Sequence, residues 1–241
     1  AGNTVDVSVA NIPVGGSVTL MYSATINAAT PAGQIIPNTA NLTYSSLPGA
    51  GTANGSPGNA TGTTTPGASG TTNGERNGTG GVNTYSVNAS ASLTVKTPTV
   101  AKLAPSPTSY AIGETVAYNI LVTLPEGVTT ALNVLDDLPA GMSYVSHTVI
   151  TSAAASGGLL ANNFNGSVLA PVLAPASPVD GDVLSFAFGN VMTAANNDAT
   201  DNQFLLRVVA RVNNVSGNVN GASLTNIASA TYTNPNTGAT A

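Results

Sequence analysis

The stretch Tyr85-Ser-Val-Asn-Ala-Ser-Ala-Ser-Leu-Thr-Val95 alternates apolar residues with Ser, Asn and Thr along its whole length. Because successive side chains of a β-strand point to opposite faces, this period of two predicts a strand with one face in a core. The same alternation occurs in residues 38–44 and 226–232. Further strands are predicted at residues 18–26, 114–124, 131–135, 142–148, 183–188 and 202–212. Turn residues separate these segments and no amphipathic helix stands out, which favours an all-β sandwich or barrel.

The composition supports a folded chain with very little charge. Only 6% of the 241 residues are charged, against roughly 25% in an average soluble domain. Disordered chains combine low hydrophobicity with high net charge, whereas here 42% of residues are hydrophobic and the net charge is −5. We therefore expect a packed core.

Several classes of protein are disfavoured by the same composition. The chain has no cysteine, which excludes disulfides and Cys-based metal sites. Its five basic residues are scattered, whereas nucleic-acid binding needs a basic patch. No apolar run reaches the roughly 18 residues of a membrane-spanning helix, and no signal or anchor motif is visible. A polar, lysine-poor surface fits an extracellular bacterial protein, so we expect that location.

One segment differs from the rest in composition. Residues 46–84 consist almost wholly of Gly, Thr, Asn, Ser, Ala and Pro, and they include a single charged pair, Glu75-Arg76. Loops of this length are uncommon in compact domains. The sequence predicts a solvent-exposed Gly/Thr/Asn-rich loop between two strands, or a loop that contacts a neighbouring subunit or ligand.

The chain also contains an internal repeat. Ser23-Ala-Thr-Ile-Asn27 precedes the first copy of the strand at residues 38–44, and Val209-Ala-Arg-Val-Asn213 precedes the second copy at residues 226–232. Asn38 and Asn226 occupy matching positions in the two copies. Internal repeats mark arrays of domains.

The repeat predicts two units, each incomplete in a different way. Residues 1–96, including the loop at 46–84, correspond to the latter part of a β-sandwich unit. Residues 97–241 form a second unit that lacks its last strand. Either the sequence is a window of a longer array, or neighbouring subunits complete its sheets by strand addition.

Four motifs from residue 100 onward carry a family resemblance. They are Val100-Ala-Lys-Leu103, Tyr110-Ala-Ile-Gly-Glu-Thr-Val-Ala-Tyr-Asn-Ile120, Leu132-Asn-Val-Leu-Asp-Asp-Leu-Pro-Ala-Gly-Met-Ser-Tyr144 and Leu224-Thr-Asn-Ile-Ala228. In this order they resemble the isopeptide-forming domains of fimbrial and adhesin proteins, and related repeat domains of bacterial surface proteins. The resemblance covers residues 100–232 and implies tandem immunoglobulin-like β-sandwich units, the first incomplete.

The resemblance also implies a reaction within the chain. Lys102 would attack the side-chain amide of Asn226, with Asp136 as the acid, and the product would be an isopeptide crosslink. Burial would favour the neutral amine and the protonated carboxyl that this reaction needs. Alternatively, Lys102 extends to solvent at the sheet rim and Asp136 begins a turn. Asn38 would be an acceptor whose lysine and acid partners lie upstream, outside this chain.

Other candidate groups give weaker signals. Lys96 is a second candidate lysine, but it falls on the polar side of its strand, and Asp137 competes with Asp136 while pointing the other way. His147 has no second histidine or cysteine nearby in the sequence and is interpreted as a strand-surface residue.

Two acidic loops are candidates for calcium, which prefers oxygen ligands. They are Asp180-Gly-Asp182 and Asp198-Ala-Thr-Asp201, and neither has the ligand spacing of an EF-hand, so ordinary turns are the alternative. The sequence predicts no other cofactor.

These features predict a structural component of an extracellular filament or surface stalk. Its partners would be copies of itself or adjacent repeats of the same polypeptide, with no nucleic acid and no membrane insertion. The alternative is an adhesin module that binds a glycan or a host protein. An enzyme acting on an external substrate is disfavoured, because no catalytic pair or triad stands at usable spacing.

Overall fold

The computed structural model describes residues 4–13, 15–44 and 85–241, and its regular structure is almost entirely β. The strands are β1 (Ile35–Tyr44), β2 (Tyr85–Thr94), β3 (Thr99–Leu103), β4 (Thr115–Thr123), β5 (Gly127–Asp137), β6 (Met142–Ile150), β7 (Gly166–Ser167), β8 (Val172–Ala174), β9 (Val183–Thr193), β10 (Gln203–Val212) and β11 (Ile227–Thr231). Two short 3₁₀ helices in the described ranges span Ala154–Ser156 and Ala199–Asp201. In these ranges no helix has the length and apolar character needed to cross a membrane. The predicted loop at 46–84 lies outside the described residues.

The strands form three antiparallel sheets. β1 and β2 pair with each other as a two-stranded ribbon. A second sheet has the order β3-β4-β10-β6, and a third has the order β11-β5-β9-β7, with β8 also pairing with β9. The predicted all-β fold is thus confirmed at the level of antiparallel sheets.

The two larger sheets pack on each other around one apolar core. Alternate residues of β4 and β10 point into it, as the period of two in their sequences predicts. The largest fully buried side chains include Phe186, Phe204, Ile120, Leu132 and Leu206. Burying each such side chain stabilises the fold by roughly 1.5–3 kcal/mol.

β3 and β11 are edge strands of opposite sheets, and they lie next to each other. Lys102 of β3 is paired with Ile120 of β4, and Asp136 of β5 is paired with Ala228 of β11. The side of the molecule where the two sheets meet therefore brings together β3, β5 and β11, which carry or adjoin the predicted crosslinking residues.

A junction connects the β1–β2 ribbon to the two larger sheets. The buried Ala32 donates its backbone N–H to Val128 O at 2.8 Å. The Asn236 side chain accepts from Ile35 N at 3.0 Å and donates to Gly33 O at 2.8 Å. Gly33 has φ +77°, and a Cβ there would lie 2.7 Å from the Tyr232 hydroxyl, so both the conformation and the space require glycine.

Residues 18–26 do not form the predicted strand. They are described, but they pair with no other strand and are exposed. Their counterpart in the repeat is β10, whose two edges are hydrogen-bonded to β4 and β6. Nothing in the described ranges supplies such neighbours for residues 18–26, so their alternating sequence has no ladder to join.

Candidate functional site

Lys102 and Asp136 meet at the contact between the two larger sheets. The Lys102 Nζ donates a hydrogen bond to Asp136 Oδ1, and the two groups form an ion pair. The Lys102 side chain is 13% exposed and that of Asp136 is 0% exposed. Lys102 therefore points inward from an edge strand, and Asp136 lies inside β5 rather than in a turn.

Tyr118 completes the environment of the lysine. Lys102 is paired with Ile120, which makes Tyr118 its diagonal neighbour on the same face of the sheet. The Lys102 Nζ lies 4.6 Å from the centroid of the Tyr118 ring, and the Tyr118 hydroxyl donates to Met142 Sδ at 3.4 Å. Tyr118 alternates in phase with the buried Val116 and Ile120, but the sequence held no signal for its contact with Lys102 or Met142.

Burial shifts the titration of both charged groups towards their neutral forms. Desolvation lowers the pKa of Lys102, and the attraction of Asp136 opposes this only in part. Desolvation likewise raises the pKa of Asp136, against the opposing effects of Lys102 and of the Asn226 side chain. A neutral amine next to a protonated carboxyl is the state that amine attack on an amide requires.

Asn226 immediately precedes β11 and is partly buried beside Asp136. Its Nδ2 and Oδ1 are buried and have no partner at hydrogen-bond geometry, and the same is true of Asp136 Oδ2. A buried polar group without a partner costs roughly 1–3 kcal/mol. The carboxamide thus lies beside the Asp136 carboxyl, close enough to lower the pKa of Asp136, but outside strict hydrogen-bond geometry.

A cavity of about 890 Å³ adjoins this cluster. Lys102, Tyr118, Met142, Leu224 and Asn226 contribute to its lining.

Only one of the two candidate lysines and one of the two candidate acids point into the protein, and burial distinguishes them. Asp136 is buried, whereas its neighbour Asp137 is exposed. Lys96 is exposed and precedes β3, whereas Lys102 is mostly buried. The geometry therefore brings together Lys102, Asp136 and Asn226, and leaves Lys96 and Asp137 outside.

Asn38 lies in β1 and is exposed. Its Nδ2 donates to the Tyr22 hydroxyl at 2.6 Å. In the described structure its hydrogen-bond partner is thus a tyrosine and not a lysine or a carboxyl group, unlike the surroundings of Asn226.

The four acidic calcium candidates hold turns together. Asp180 accepts from Gly141 N at 2.6 Å, and Asp182 accepts from Val179 N at 2.7 Å. Asp198 caps the second 3₁₀ helix through Thr200 N at 2.9 Å. Asp201 accepts from the side chains of Asn165 and Asn196 at 3.0 and 2.8 Å. Across the described part of the chain, no three His, Cys, Asp or Glu side chains cluster as metal ligands.

His147 lies on β6 and is partly buried. Its Nδ1 hydrogen-bonds the Tyr144 hydroxyl at 2.7 Å, and its ring packs edge-on against Phe186 with centroids 5.0 Å apart. Desolvation lowers its pKa, which favours the neutral ring. These contacts indicate that His147 packs between β6 and the core.

No protein-family model matches the sequence, and neither a curated protein nor a solved structure matches the chain. The cluster of Lys102, Asp136 and Asn226 is therefore interpreted from its own geometry and chemistry.

Proposed function

We propose that this protein is a structural component of a bacterial extracellular filament or surface stalk, built from immunoglobulin-like β-sandwich units. An isopeptide bond between Lys102 and Asn226 stiffens the unit formed by residues 97–241. The observation that carries the proposal is the buried cluster of amine, carboxyl and carboxamide at the contact between two sheets. No other described group is placed for chemistry of this kind.

The reaction needs no external reagent. The neutral Lys102 amine attacks Cγ of Asn226 while the protonated Asp136 donates a hydrogen bond to the amide oxygen and polarises the carbonyl. A new C–N bond forms to Lys102, the original C–N bond of the carboxamide breaks, and the nitrogen leaves as ammonia. Asp136 shuttles the proton from the attacking amine to the departing nitrogen.

Two physical effects support this reaction at the site. Burial disfavours the charged forms of Lys102 and Asp136, so the reactive neutral pair is more accessible than in water. The fold also holds the amine and the amide against the same carboxyl, and such positioning can supply roughly 7–11 kcal/mol of a barrier.

The position of the bond suits a load-bearing unit. It would connect β3, at the edge of one sheet, to the start of β11, at the edge of the other. The two sheets of a sandwich are otherwise held together by apolar contacts, and sheets joined in this way can separate under load. A covalent link between their edges would prevent that separation.

The proposed partners in the filament would bind through the open edges of strands. Among the described strands, β11 ends its sheet with one edge unpaired, and β1 pairs only with β2. Open edges take up strands from other segments. Copies of the chain, or adjacent repeats of the same polypeptide, are therefore the proposed neighbours in the filament.

Intact-mass spectrometry tests the crosslink. The full chain should weigh one ammonia less than its sequence mass, and Lys102→Ala should restore the full mass apart from the substitution. Lys96→Ala, at an exposed lysine outside the cluster, is the matched control and should keep the deficit. A chain of full sequence mass would overturn the crosslink.

Electron microscopy tests the assembly. Filaments with a fixed axial repeat are expected from the purified protein. Monomeric particles that bind a glycan array would instead favour the adhesin alternative and contradict a filament subunit.

A further inference from the structure

Two Asn-Gly pairs fall within the described part of the chain, Asn165-Gly166 and Asn220-Gly221. An asparagine followed by glycine is prone to spontaneous deamidation, because glycine has no side chain to keep its backbone nitrogen away from the asparagine carboxamide. Both asparagines are exposed to solvent. Dipeptide and exposure are thus the same at both pairs, and only the local structure separates them. Three more Asn-Gly pairs, which begin at residues 54, 73 and 77, lie outside the described residues.

The Asn165-Gly166 pair is held by its neighbours. Asn165 N donates to Asp201 O at 2.8 Å, and Asn165 Nδ2 donates to Asp201 Oδ2 at 3.0 Å. Gly166 lies in β7 and is paired with Thr193 of β9. The carbonyl oxygen of Met192 fills the space where a Cβ of Gly166 would lie. The Asn165 carboxamide therefore cannot swing onto Gly166 N unless these contacts open first.

The Asn220-Gly221 pair lies at the tip of an open turn. Ala222 N donates to Val219 O at 3.0 Å, so Asn220 and Gly221 are the two central residues of a β-turn. Gly221 has φ +84°, the left-handed conformation of a type II turn, and nothing lies within 4 Å of the place of a Cβ. In the described structure no hydrogen bond holds the Asn220 side chain or Gly221 N. The carboxamide is free to reach the backbone nitrogen that follows it.

Asn218 shows that the loop is fixed just before this turn. Its Nδ2 donates to Gly141 O and to Asn213 O, both at 2.8 Å, and its backbone N donates to Val215 O at 3.0 Å. Asn218 is also followed by Val219, whose branched side chain obstructs an approach of the carboxamide to the next backbone nitrogen. The open position is therefore confined to the tip of the turn.

We propose that Asn220 is a site of spontaneous deamidation. Gly221 N attacks Cγ of Asn220, the new C–N bond closes a five-membered succinimide ring, and the original C–N bond of the carboxamide breaks. Hydroxide takes the proton of Gly221 N, and the leaving nitrogen takes a proton from water and departs as ammonia. Water then adds to either carbonyl of the ring, which opens to aspartate or to isoaspartate.

The modification would change the surroundings of the crosslinking cluster without depending on the crosslink. Asn220 and Gly221 line the same cavity as Lys102 and Asn226. The product adds a carboxylate to that cavity, and isoaspartate also lengthens the backbone between β10 and β11 by one carbon atom. The succinimide has lost one ammonia, so its intact mass shows the same deficit as the crosslink although it joins no strands.

Fragmentation of peptides from the aged protein tests the proposal. The full chain is held in mildly alkaline buffer, folded or unfolded in urea, and electron-transfer mass spectrometry then locates aspartate and isoaspartate. In the folded chain Asn220 should be converted at least about tenfold faster than Asn165, because reaction at Asn165 first requires local opening of β7. In urea the two sites should react at similar rates, since both asparagines are followed by glycine.

Asn220→Gln is the matched control, since the longer side chain would have to close a larger ring. It should abolish conversion at this position and leave the rate at Asn165 unchanged. Equal conversion of Asn165 and Asn220 in the folded chain would overturn the proposal, and so would conversion of Asn220 only after unfolding. Fragmentation assigns each change to a residue, so the result at Asn220 is read independently of the bond between Lys102 and Asn226.

Discussion

β10 and residues 17–26 are two copies of one alternating pattern with opposite outcomes. Phe204, Leu206 and Val208 in β10 are fully buried, whereas their counterparts Val18, Leu20 and Tyr22 are each about half exposed. β10 has a hydrogen-bonded neighbour on each edge, and residues 17–26 have none in the described structure. Alternation therefore specifies which side chains share a face, but neighbouring strands decide whether that face is covered.

The two asparagines of the repeat give the same contrast for chemistry. Asn226 lies in the core beside a lysine and an acid, whereas Asn38 is exposed and bonded to a tyrosine. The same residue in the same local sequence thus becomes a candidate reactant only where a second sheet packs over it.

The largest expected difference separates Leu206→Asp from Leu20→Asp. The first change buries an unpaired charge in the core, which costs enough to unfold the two larger sheets. The second places the charge on an exposed position and should change stability by about 0.5 kcal/mol or less. Circular dichroism and urea denaturation measure both. Equal destabilisation would mean that residues 17–26 are packed as β10 is.

The asparagine pair gives the next largest effect. With the crosslink formed, Asn226→Ala removes a covalent link that closes a long loop. By analogy with disulfides, the free energy of unfolding should fall by about 4–5 kcal/mol. Asn38→Ala removes one exposed hydrogen bond and should cost about 1 kcal/mol or less. Guanidinium unfolding of the two variants compares them. A loss from Asn226→Ala no larger than that from Asn38→Ala would contradict the crosslink.

Without the crosslink, Lys102 and Asp136 should make the stability of the protein depend on pH. This smaller effect is visible in the Asn226→Ala chain, which cannot form the bond. Because the pKa of Asp136 is raised on folding, stability falls as pH rises above an ordinary aspartate pKa of about 4. Because the pKa of Lys102 is lowered, stability rises again as pH approaches an ordinary lysine pKa of about 10.4.

Urea denaturation across pH measures this dependence. The control chain also carries Lys102→Met and Asp136→Leu, which replace the buried pair by apolar groups and should remove both slopes. If the two chains keep a constant difference in stability from pH 4 to pH 10, the pair does not titrate as proposed.

The smallest expected effect lies at the junction. Asn236→Ala removes side-chain hydrogen bonds to Gly33 and Ile35, which hold the ribbon against the larger sheets. We expect the local stability of this contact to fall by about 1 kcal/mol, without an effect on the rest of the fold. Amide hydrogen exchange should speed up at Ile35 and stay unchanged at Leu206. Unchanged exchange at Ile35 would show that the contacts of Ala32 and its neighbours hold the ribbon in place without Asn236.

The sequence predicted the strands with covered faces well, because their alternation matches the structure. β4, β6, β9 and β10 all fall within or close to predicted ranges. It failed at residues 18–26, since pairing depends on neighbours that a local pattern does not encode. It also separated Asp136 from Asp137 by strand phase alone.

The site was predictable only in part. Strand phase set Lys102 apart from Lys96 and Asp136 apart from Asp137, but strand phase does not bring β3 beside β11. Contact between those edge strands follows from the order of the two sheets. The stacking of Lys102 on Tyr118 and the adjoining cavity depend on the same arrangement.

Lys102 lies on the first strand of the two larger sheets, and Asn226 immediately precedes the last. With the proposed bond in place, the chain between them becomes a closed ring, and the flanking segments leave it from adjacent points. Tension that enters before residue 102 and leaves after residue 226 then crosses a single side-chain amide. The strands β4–β10 carry none of it, so the core could remain intact under forces that would unravel an open chain.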